Sequence, residues 1–218
     1  MSGAIPLTSI LSAAFLMLAL SVGRAHADFE PLRLPTLIGE SELIVLGAVS
    51  EMHPETFVLD DYDVIFGPHG EGPLEIRRFV DWSGASRWTA YHPGQTLLLF
   101  LSAPAAAGEA GEGQPWRIRG VGGEGEMPVE NGFVYTQGPV LSRSGMQEYV
   151  VDHATLYGHR FDLESFVSAV AGFKRCFRVA KADGETNART VLQLCGDEAL
   201  EAYRRESELS RHLAETMK

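Results

Sequence analysis

The sequence predicts a mainly β protein of the α+β class, with a closed or partly open antiparallel β-barrel followed by C-terminal helices. Three observations predict it. Between Ser41 and Thr136, apolar runs alternate with turn-forming segments, and no long stretch has the 3.6-residue period of an amphipathic helix. Residues 43–49 are apolar on both faces, as in a strand enclosed by a barrel or closed sheet. After Arg160 the spacing of apolar residues becomes helical.

The first 27 residues have the pattern of a signal peptide. An apolar run at residues 10–23 precedes the small-x-small tripeptide Ala-His-Ala at 25–27, which a signal peptidase cleaves. A spanning helix needs roughly 20 apolar residues, so cleavage is favoured over the alternative, a retained membrane anchor. We therefore expect an exported protein, periplasmic or extracellular, that begins near Asp28. We expect no stable membrane insertion after signal cleavage.

The charge balance of the chain argues against one class of partner. The sequence has 18 Lys and Arg against 29 Asp and Glu, for a formal net charge of −11. Such a surface repels phosphate backbones and anionic lipids at long range. Nucleic acid is therefore not an expected partner.

The two cysteines, Cys176 and Cys195, both follow the predicted cleavage point. In an oxidising compartment this pair predicts one disulfide, and two separate buried thiols are the alternative. Closing a loop of about 20 residues would contribute roughly 3 kcal/mol by restricting the unfolded chain. Two cysteines alone are poor evidence for zinc, which usually has four ligands, and we expect no metal or other cofactor.

Two strands follow the first. Residues 56–66 place apolar side chains on one face until Gly67 and Pro68 interrupt the pattern. Residues 74–81 alternate apolar with charged side chains, which predicts a half-buried strand with a charged outer face.

Three more strands complete the predicted barrel. A Pro-Gly turn leads into residues 96–101, an apolar run too short for an independent helix and therefore predicted as a buried strand. Residues 102–115 are rich in Ala, Gly, Pro and Glu and predict a mobile surface loop. Alternation resumes at 116–119, and an Asn-Gly turn precedes residues 133–136, where we expect the barrel to close.

Two helices are predicted after the barrel. Asp162 can cap a helix that packs on the barrel, with Phe161 as a hydrophobic staple. A second helix, from Asp197 to about Met217, has a thin apolar stripe and is expected to project or fray. The disulfide would tie the two helices together. We divide the chain into a barrel domain at 28–160 and a helical appendage at 161–218. The apolar face of the first helix comprises Leu163, Phe166, Val167, Val170, Phe173 and Phe177, and the stripe of the second comprises Leu200, Tyr203 and Leu213.

Three segments of the barrel region resemble a known family. Glu42–Val49, Asp63–Gly67 and the run His-Pro-Gly-Gln-Thr-Leu-Leu-Leu-Phe-Leu at 92–101 occur in the order found in secreted bacterial proteins with a netrin-like domain. This domain is also described as similar to the tissue inhibitors of metalloproteinases. The resemblance covers roughly residues 37–101 and implies an OB-like barrel, with a first strand, a strand ending at a glycine turn, and a strand entered from a Pro-Gly turn.

The resemblance does not imply an activity. The inhibitors in that family chelate the protease zinc with an N-terminal cysteine, whereas the predicted terminus here is Asp28 and the barrel region contains no cysteine. The fold is therefore the expectation carried by the resemblance, and protease inhibition by that mechanism is not.

The densest group of candidate binding residues lies between two predicted strands, at residues 81–91. Aromatic side chains in loops often bind sugars or peptides by stacking, with charged neighbours fixing orientation. The alternative is structural: the two Trp side chains fill the barrel end and the acid pairs with the arginine. The candidates are Asp81, Trp82, Arg87, Trp88 and Tyr91.

A second candidate group is the glycine-rich segment 120–128, which carries Glu124 and Glu126. The segment lacks the Gly-Lys-Ser/Thr ending of a phosphate loop and has negative charge where an anion would bind. The two carboxylates could hold a cation, act as an acid–base pair, or be solvated in a plain turn. If the segment folds beside the aromatic group, either carboxylate could pair with Arg87, in a binding cleft or in a structural ion pair.

The functional expectation is a non-enzymatic binding or interaction module with an unidentified protein, peptide or glycan partner. The sequence has no nucleophile elbow, no HExxH pattern and no local catalytic signature at either cysteine, so no catalytic residue is predicted. One alternative is a metal-assisted hydrolase using His153, His159 and either Glu124 or Glu126. Another is an accessory subunit that docks on a partner through the helix at 197–217.

Overall fold

A computed structural model of the chain describes residues 31–68, 72–104, 114–181 and 189–217. It contains 13 strands and 4 helices in these ranges, which confirms the mainly β prediction with C-terminal helices. Eleven strands form one mixed sheet and two form a separate hairpin. The strands are β1 (Leu43–Ala48), β2 (Glu51–Met52), β3 (Thr56–Leu59), β4 (Tyr62–Phe66), β5 (Leu74–Arg77), β6 (Thr96–Ser102), β7 (Trp116–Ile118), β8 (Glu126–Glu130), β9 (Phe133–Gln137), β10 (Gln147–Val151), β11 (Ala154–Asp162), β12 (Phe177–Lys181) and β13 (Arg189–Gln193). The helices are α1 (Leu34–Glu40), α2 (Leu163–Cys176), α3 (Asp197–Glu206) and α4 (Glu208–Glu215).

The first four strands form one long antiparallel hairpin. Gly47 lies opposite Tyr62 in β1–β4, and Glu51 lies opposite Val58 in β2–β3, so the same register continues through both pairs. Strand β2 follows β1 after only two residues. The predicted strand at residues 56–66 is therefore present, with an interruption between β3 and β4.

The remaining pairings connect β1 with β3 through three more strands. Strand β1 also pairs with β6, β6 pairs with β7, β7 pairs with β5, and β5 pairs with β3. The β5–β7 pair is parallel, so the prediction of a purely antiparallel arrangement is wrong for this pair. Strand β7 runs antiparallel to β6, lies between β6 and β5, and has the same direction as β5.

The apolar side chains of β1 and β6 are buried on both faces of the sheet, as their sequences predict. On one face they pack among the residues of β3 and β5. On the other face Ile44, Leu98 and Phe100 pack against α1 and α2. The first face is formed by Leu43, Val45, Val49, Phe57, Leu59, Leu74, Ile76, Leu97, Leu99 and Leu101.

The sheet continues past the predicted last strand. Strand β9, which coincides with the strand expected at 133–136, pairs with both β8 and β11, and β11 pairs with β10. The turn between β10 and β11 has positive φ at Asp152 (53°) and His153 (60°). Two central residues with positive φ are typical of a tight hairpin turn that matches the twist of the strands.

Helix α2 begins as the sequence predicts. The Asp162 carboxylate accepts a hydrogen bond from the Ser165 backbone N–H at 2.9 Å, and Phe166, Val170 and Phe173 are fully buried. The helix ends at Cys176, so Phe177 begins β12 instead of extending the helical face.

The predicted second helix is two helices, and the expectation that it projects or frays is wrong. The break is at Ser207, whose hydroxyl caps α4 by accepting a hydrogen bond from the Ser210 N–H at 2.9 Å. Leu200, Tyr203 and Leu213 are buried, and the Tyr203 hydroxyl donates to the Ala169 carbonyl of α2 at 3.0 Å. The stripe is thin but contacts α2 in both segments, which holds α3 and α4 on the core.

The C-terminal end of α1 is bound by two cations from distant parts of the chain. The Lys174 ammonium donates to the carbonyl oxygens of Gly39 and Ser41, at 3.1 and 2.7 Å, and Arg119 donates to the Glu40 carbonyl. These carbonyls have no partner within the helix and carry its negative dipole end. Burial, together with the Arg119 charge, lowers the pKa of Lys174 to about 8.

Cys176 and Cys195 are placed as a disulfide pair, as predicted, with a Cα–Cα distance of 4.6 Å. The Leu194 N–H also donates to the Cys176 carbonyl at 2.8 Å. The pair closes the base of the β12–β13 hairpin and joins the end of α2 to the residues that precede α3. This hairpin was not predicted from the sequence.

Two predictions fall outside the described residues. They are the signal peptide and most of the loop expected at 102–115. Within the described ranges, no helix is both long enough and apolar enough to cross a membrane.

Candidate functional site

The structure brings Arg87 and Glu126 together as a buried ion pair. Their side chains are only 5% and 1% exposed. The Arg87 Nε–H donates to Glu126 Oε1 at 2.7 Å, and the Nη2 group also contacts Oε1. The Tyr91 hydroxyl donates to Oε2 at 2.6 Å. Both carboxylate oxygens therefore bind protein donors.

The guanidinium of Arg87 is also enclosed on its faces and at its outer edge. It lies between two rings, 3.9 Å from the Trp88 centroid and 3.6 Å from the Tyr91 centroid. Its Nη1 donates to the Thr89 carbonyl at 2.5 Å and its Nη2 to Gln95 Oε1 at 2.6 Å. A guanidinium with stacked faces and paired donors is a fixed structural element. It orders the segment between β5 and β6.

Electrostatics support the same interpretation. Burial raises the pKa of the Glu126 carboxyl, and the Arg87 charge opposes that shift. Burial and the Glu126 carboxylate also raise the pKa of Tyr91, so its hydroxyl remains a donor. Because every Glu126 oxygen is already bound, the pair is suited to holding the fold and not to proton transfer.

Hydrogen bonds extend from this ion pair to the protein surface. Gln95 Nε2 donates to Asp152 Oδ2 at 2.5 Å, and His92 Nε2–H donates to the same oxygen at 2.8 Å. We call Arg87, Glu126, Tyr91, Gln95, Asp152 and His92 the Arg87 network. It connects the segment before β6 to β8 and to the turn between β10 and β11.

His92 has acceptors at both of its ring nitrogens. Its Nδ1 lies 3.0 Å from the Pro93 carbonyl, and its Nε2 faces the Asp152 carboxylate. Only the imidazolium can donate to both. The Pro93 carbonyl, followed by the Asp152 carboxylate, therefore raises the pKa of His92.

This geometry predicts a pH dependence of stability. A raised folded-state pKa means that protonated His92 stabilises the fold below its unfolded pKa of about 6.5. This contribution is lost as the pH rises through the folded-state pKa. His92→Gln should therefore lower the melting temperature at pH 5.5 by more than at pH 8.5, as measured by thermal unfolding.

Asp152→Asn is the matched control for that experiment. In its background, the difference between the effects of His92→Gln at the two pH values should become smaller, because the Asp152 charge is gone while the Pro93 carbonyl still accepts from Nδ1. A His92→Gln effect that is equal at both pH values in the wild-type background would contradict the assignment.

The other candidates between β5 and β6 lie in different environments. Asp81 Oδ1 accepts a hydrogen bond from the Arg87 backbone N–H at 2.9 Å, so it supports the turn and does not pair with the guanidinium. The Trp88 ring packs against two core clusters, and its Nε1 is buried without a hydrogen-bond partner among the described residues. Trp82 is 40% exposed. The two tryptophans thus differ in environment, because Trp88 is partly buried against the core and Trp82 is exposed.

Glu124 does not join the Arg87 network. Its side chain is buried, and its two oxygens accept hydrogen bonds from the backbone N–H groups of Leu32 and Gly122, each at 2.9 Å. It fixes its own turn and attaches the segment before α1 to that turn.

The residues considered for a metal-assisted hydrolase are dispersed. His153 is in the turn between β10 and β11, and His159 lies on β11 with its Nε2–H directed at the Ser142 carbonyl. Glu124 and Glu126 make the separate contacts described above. Over the described ranges of the chain, no group of three His, Cys, Asp or Glu side chains is arranged to hold a metal ion.

An exposed apolar surface lies beside the buried network. Val80, Trp82 and Val121 are 75%, 40% and 63% exposed, and we call them the Trp82 surface. Trp82 Nε1–H donates to the Val121 carbonyl at 2.7 Å, which joins the two segments. The ring also lies over Gly84, where a Cβ would come within 2.3 Å of it, so only glycine permits this orientation. Trp82 is a residue predicted from the sequence as a binding candidate. Residue 80 was predicted as an apolar position of the half-buried strand at 74–81, which is wrong, because β5 ends at Arg77 and Val80 is exposed.

Comparison of this chain with protein-family models, with curated proteins and with solved structures finds no significant match. Its function is therefore argued from its own geometry.

Proposed function

We propose that this chain is an exported, non-enzymatic binding module that engages its partner through the Trp82 surface. The observation that carries the proposal is the exposed indole of Trp82, held in one orientation by its hydrogen bond to Val121 and by contact with Gly84. Val80, two residues before Trp82, and Val121, whose carbonyl accepts the hydrogen bond from the indole, are also exposed.

An oriented, exposed tryptophan is the kind of side chain that dominates binding energy at interfaces. Single exposed apolar residues are common, but here an exposed tryptophan has one exposed valine in its own segment and another at its hydrogen-bond partner, which gives three apolar residues in two joined segments. The Arg87 network orders the segment that carries Trp82, which lowers the entropy lost on binding. Because the flanking residues are aliphatic, a protein or peptide with apolar side chains is favoured over a glycan as the partner.

The binding module is proposed to be an OB-like barrel. The support is the order in which the strands pair. Because β1 and β2 share one register, they can be counted as one strand, and successive pairings then lead from it through β3, β5, β7 and β6 back to β1. OB-fold barrels commonly bind ligands through the loops between their strands. The resemblance to netrin-like domains is part of this proposal and concerns the same strands.

The proposal of export has two supports. The sequence of the leader has the pattern of a cleaved signal peptide, and the cysteine pair is compatible with an oxidising compartment such as the periplasm or the extracellular space.

The test uses the purified mature protein on a solid support, exposed to the exported proteins of the host. Trp82→Ser should reduce the retained partner at least about tenfold, because truncating a central aromatic anchor typically has an effect of this size. The free energy of unfolding should fall by about 1–2 kcal/mol, since one hydrogen bond and the packing of a partly buried indole are lost.

Tyr157→Ser is the matched control, because Tyr157 is an exposed aromatic residue on β11 that lies outside the Trp82 surface. It should retain the partner as the wild type does. Equal retention by the wild type and Trp82→Ser, or a large loss of stability with retention unchanged, would contradict the proposal.

A further inference from the structure

A groove of about 500 Å³ lies between β11, the segment that follows β9, and helix α4. Leu141, Phe161 and Leu209 provide apolar contacts, and His159 is the polar side chain of β11 that reaches it. The volume is within the range of small-molecule sites, roughly 300–1,000 Å³. The groove shares no residue with the Trp82 surface.

One ring nitrogen of His159 forms a hydrogen bond within the protein. Its Nε2 lies 3.0 Å from the Ser142 carbonyl oxygen, which can only accept a hydrogen bond. Nε2 therefore carries a proton. In the neutral ring this leaves Nδ1 as an acceptor with its lone pair available.

The second nitrogen is left uncovered. A Cβ at Gly145 would lie 3.9 Å from Nδ1, and the φ of +80° at this position requires glycine, so no side chain fills that space. None of the described residues donates a hydrogen bond to Nδ1. The groove is also lined by Ser142, Ser144 and His212, and we take Nδ1 of His159 as the acceptor that a ligand there reaches.

The charges at the groove favour a neutral ligand. Glu208 and Glu215 are countered in part by Arg211, which lies 3.8 Å from Glu208 in a surface ion pair. Both acids lie at exposed positions where solvent screens their charge, so a cation gains little from them, and the excess of acid over base repels an anion. A hydrogen-bond donor on a flat apolar body matches both the acceptor and the apolar contacts.

We propose that this groove is a second binding site, which takes a small, uncharged aromatic molecule bearing a hydroxyl or N–H donor. The donor binds Nδ1 of His159, and the ring packs against Phe161, Leu141 and Leu209. The assignment does not depend on the function proposed for the Trp82 surface.

The test compares phenol with anisole by NMR titration of the isotope-labelled protein at a pH where histidine is neutral. The two probes differ in the donor, and anisole has the larger apolar area. Phenol should bind at least about fivefold more tightly, the effect of one net hydrogen bond, with shifts at residues 141, 161 and 209. A purely apolar groove would prefer anisole. Tighter binding of anisole, or shifts located elsewhere, would overturn the proposal.

Two histidine variants locate the acceptor. His159→Phe keeps an aromatic ring and should remove the preference for phenol while shifts from both probes remain at the groove. His53→Phe, at an exposed position between β2 and β3 that does not line the groove, is the matched control and should keep the preference. A phenol preference that persists in a folded His159→Phe protein would assign the acceptor to another residue and overturn the proposal. The comparison of probes on the wild-type protein remains decisive if the variant does not fold.

Discussion

Arg87→Met should lower the free energy of unfolding by about 3–5 kcal/mol, the effect expected when one partner of a buried ion pair is removed. The substitution leaves the Glu126 carboxylate, with its side chain 1% exposed, bound only by the Tyr91 hydroxyl. It also removes the cation that fills the space between the Trp88 and Tyr91 rings. Equilibrium unfolding in urea at pH 7 measures the loss.

The same variant should show a defined dependence on pH. Burial raises the pKa of Glu126, and without Arg87 no charge opposes the shift. A group whose folded-state pKa is above its unfolded value of about 4.3 favours the fold at low pH and opposes it as the pH rises through the folded pKa. The stability of Arg87→Met should therefore improve as the pH falls from 7 towards 5.

Two further variants make this prediction specific. Arg87→Met combined with Glu126→Leu removes both charges and should be more stable than Arg87→Met alone, because no unpaired charge stays buried. Arg211→Met breaks an exposed pair on α4 and should change stability by less than about 0.5 kcal/mol. A loss of less than about 1 kcal/mol in Arg87→Met would show that the pair is not the structural element described here.

Replacing both cysteines by alanine should cost roughly 3 kcal/mol of stability, the effect expected for a disulfide that closes a loop of about 20 residues. Cys176 and Cys195 are separated by 19 positions, and the bridge joins the end of α2 to the segment that leads into α3. Without the disulfide, residues 176–195 have more conformational entropy in the unfolded chain, which lowers the free energy of unfolding.

Reductant provides the control for the disulfide. Wild-type protein in dithiothreitol should unfold at the urea concentration that unfolds the double alanine variant, and that variant should not respond to reductant. A thiol assay of the denatured, unreduced protein should find no free thiol. Two free thiols, or a wild-type unfolding curve that reductant leaves unchanged, would contradict the assignment.

Much of the sheet could be predicted because burial on both faces leaves a strong sequence pattern. Strands β1 and β6 are apolar at nearly every position, and α2 has both a capping residue and a helical apolar face. In contrast, four of the five residues of β10 are exposed or only partly buried, so this strand has no continuous apolar pattern. Its place in the sheet is set by its pairing with β11. Helix α1 has only seven residues, too few for a periodic pattern to identify it.

The candidate site was predictable as a set of residues and not as an arrangement. The sequence indicated that Arg87 could meet Glu124 or Glu126, but the choice follows from the pairing of β6 with β8, which places Glu126 opposite Leu99. The different positions of Trp82 and Trp88 depend on a tight turn in which Trp82 and Ala85 pair with each other. Such a turn is fixed by contacts between segments about 40 residues apart, and these leave no periodic signal.

The most direct test of the proposed binding surface places a photo-cross-linking amino acid at residue 80, two positions before Trp82, in the full chain made by its own cells. The matched control carries it at residue 155, an exposed position on β11. We predict that irradiation gives a discrete adduct with a second protein from residue 80 and none from residue 155, and that Trp82→Ser abolishes the adduct. Adducts of equal yield from both positions, or an adduct from residue 155 alone, would contradict the account.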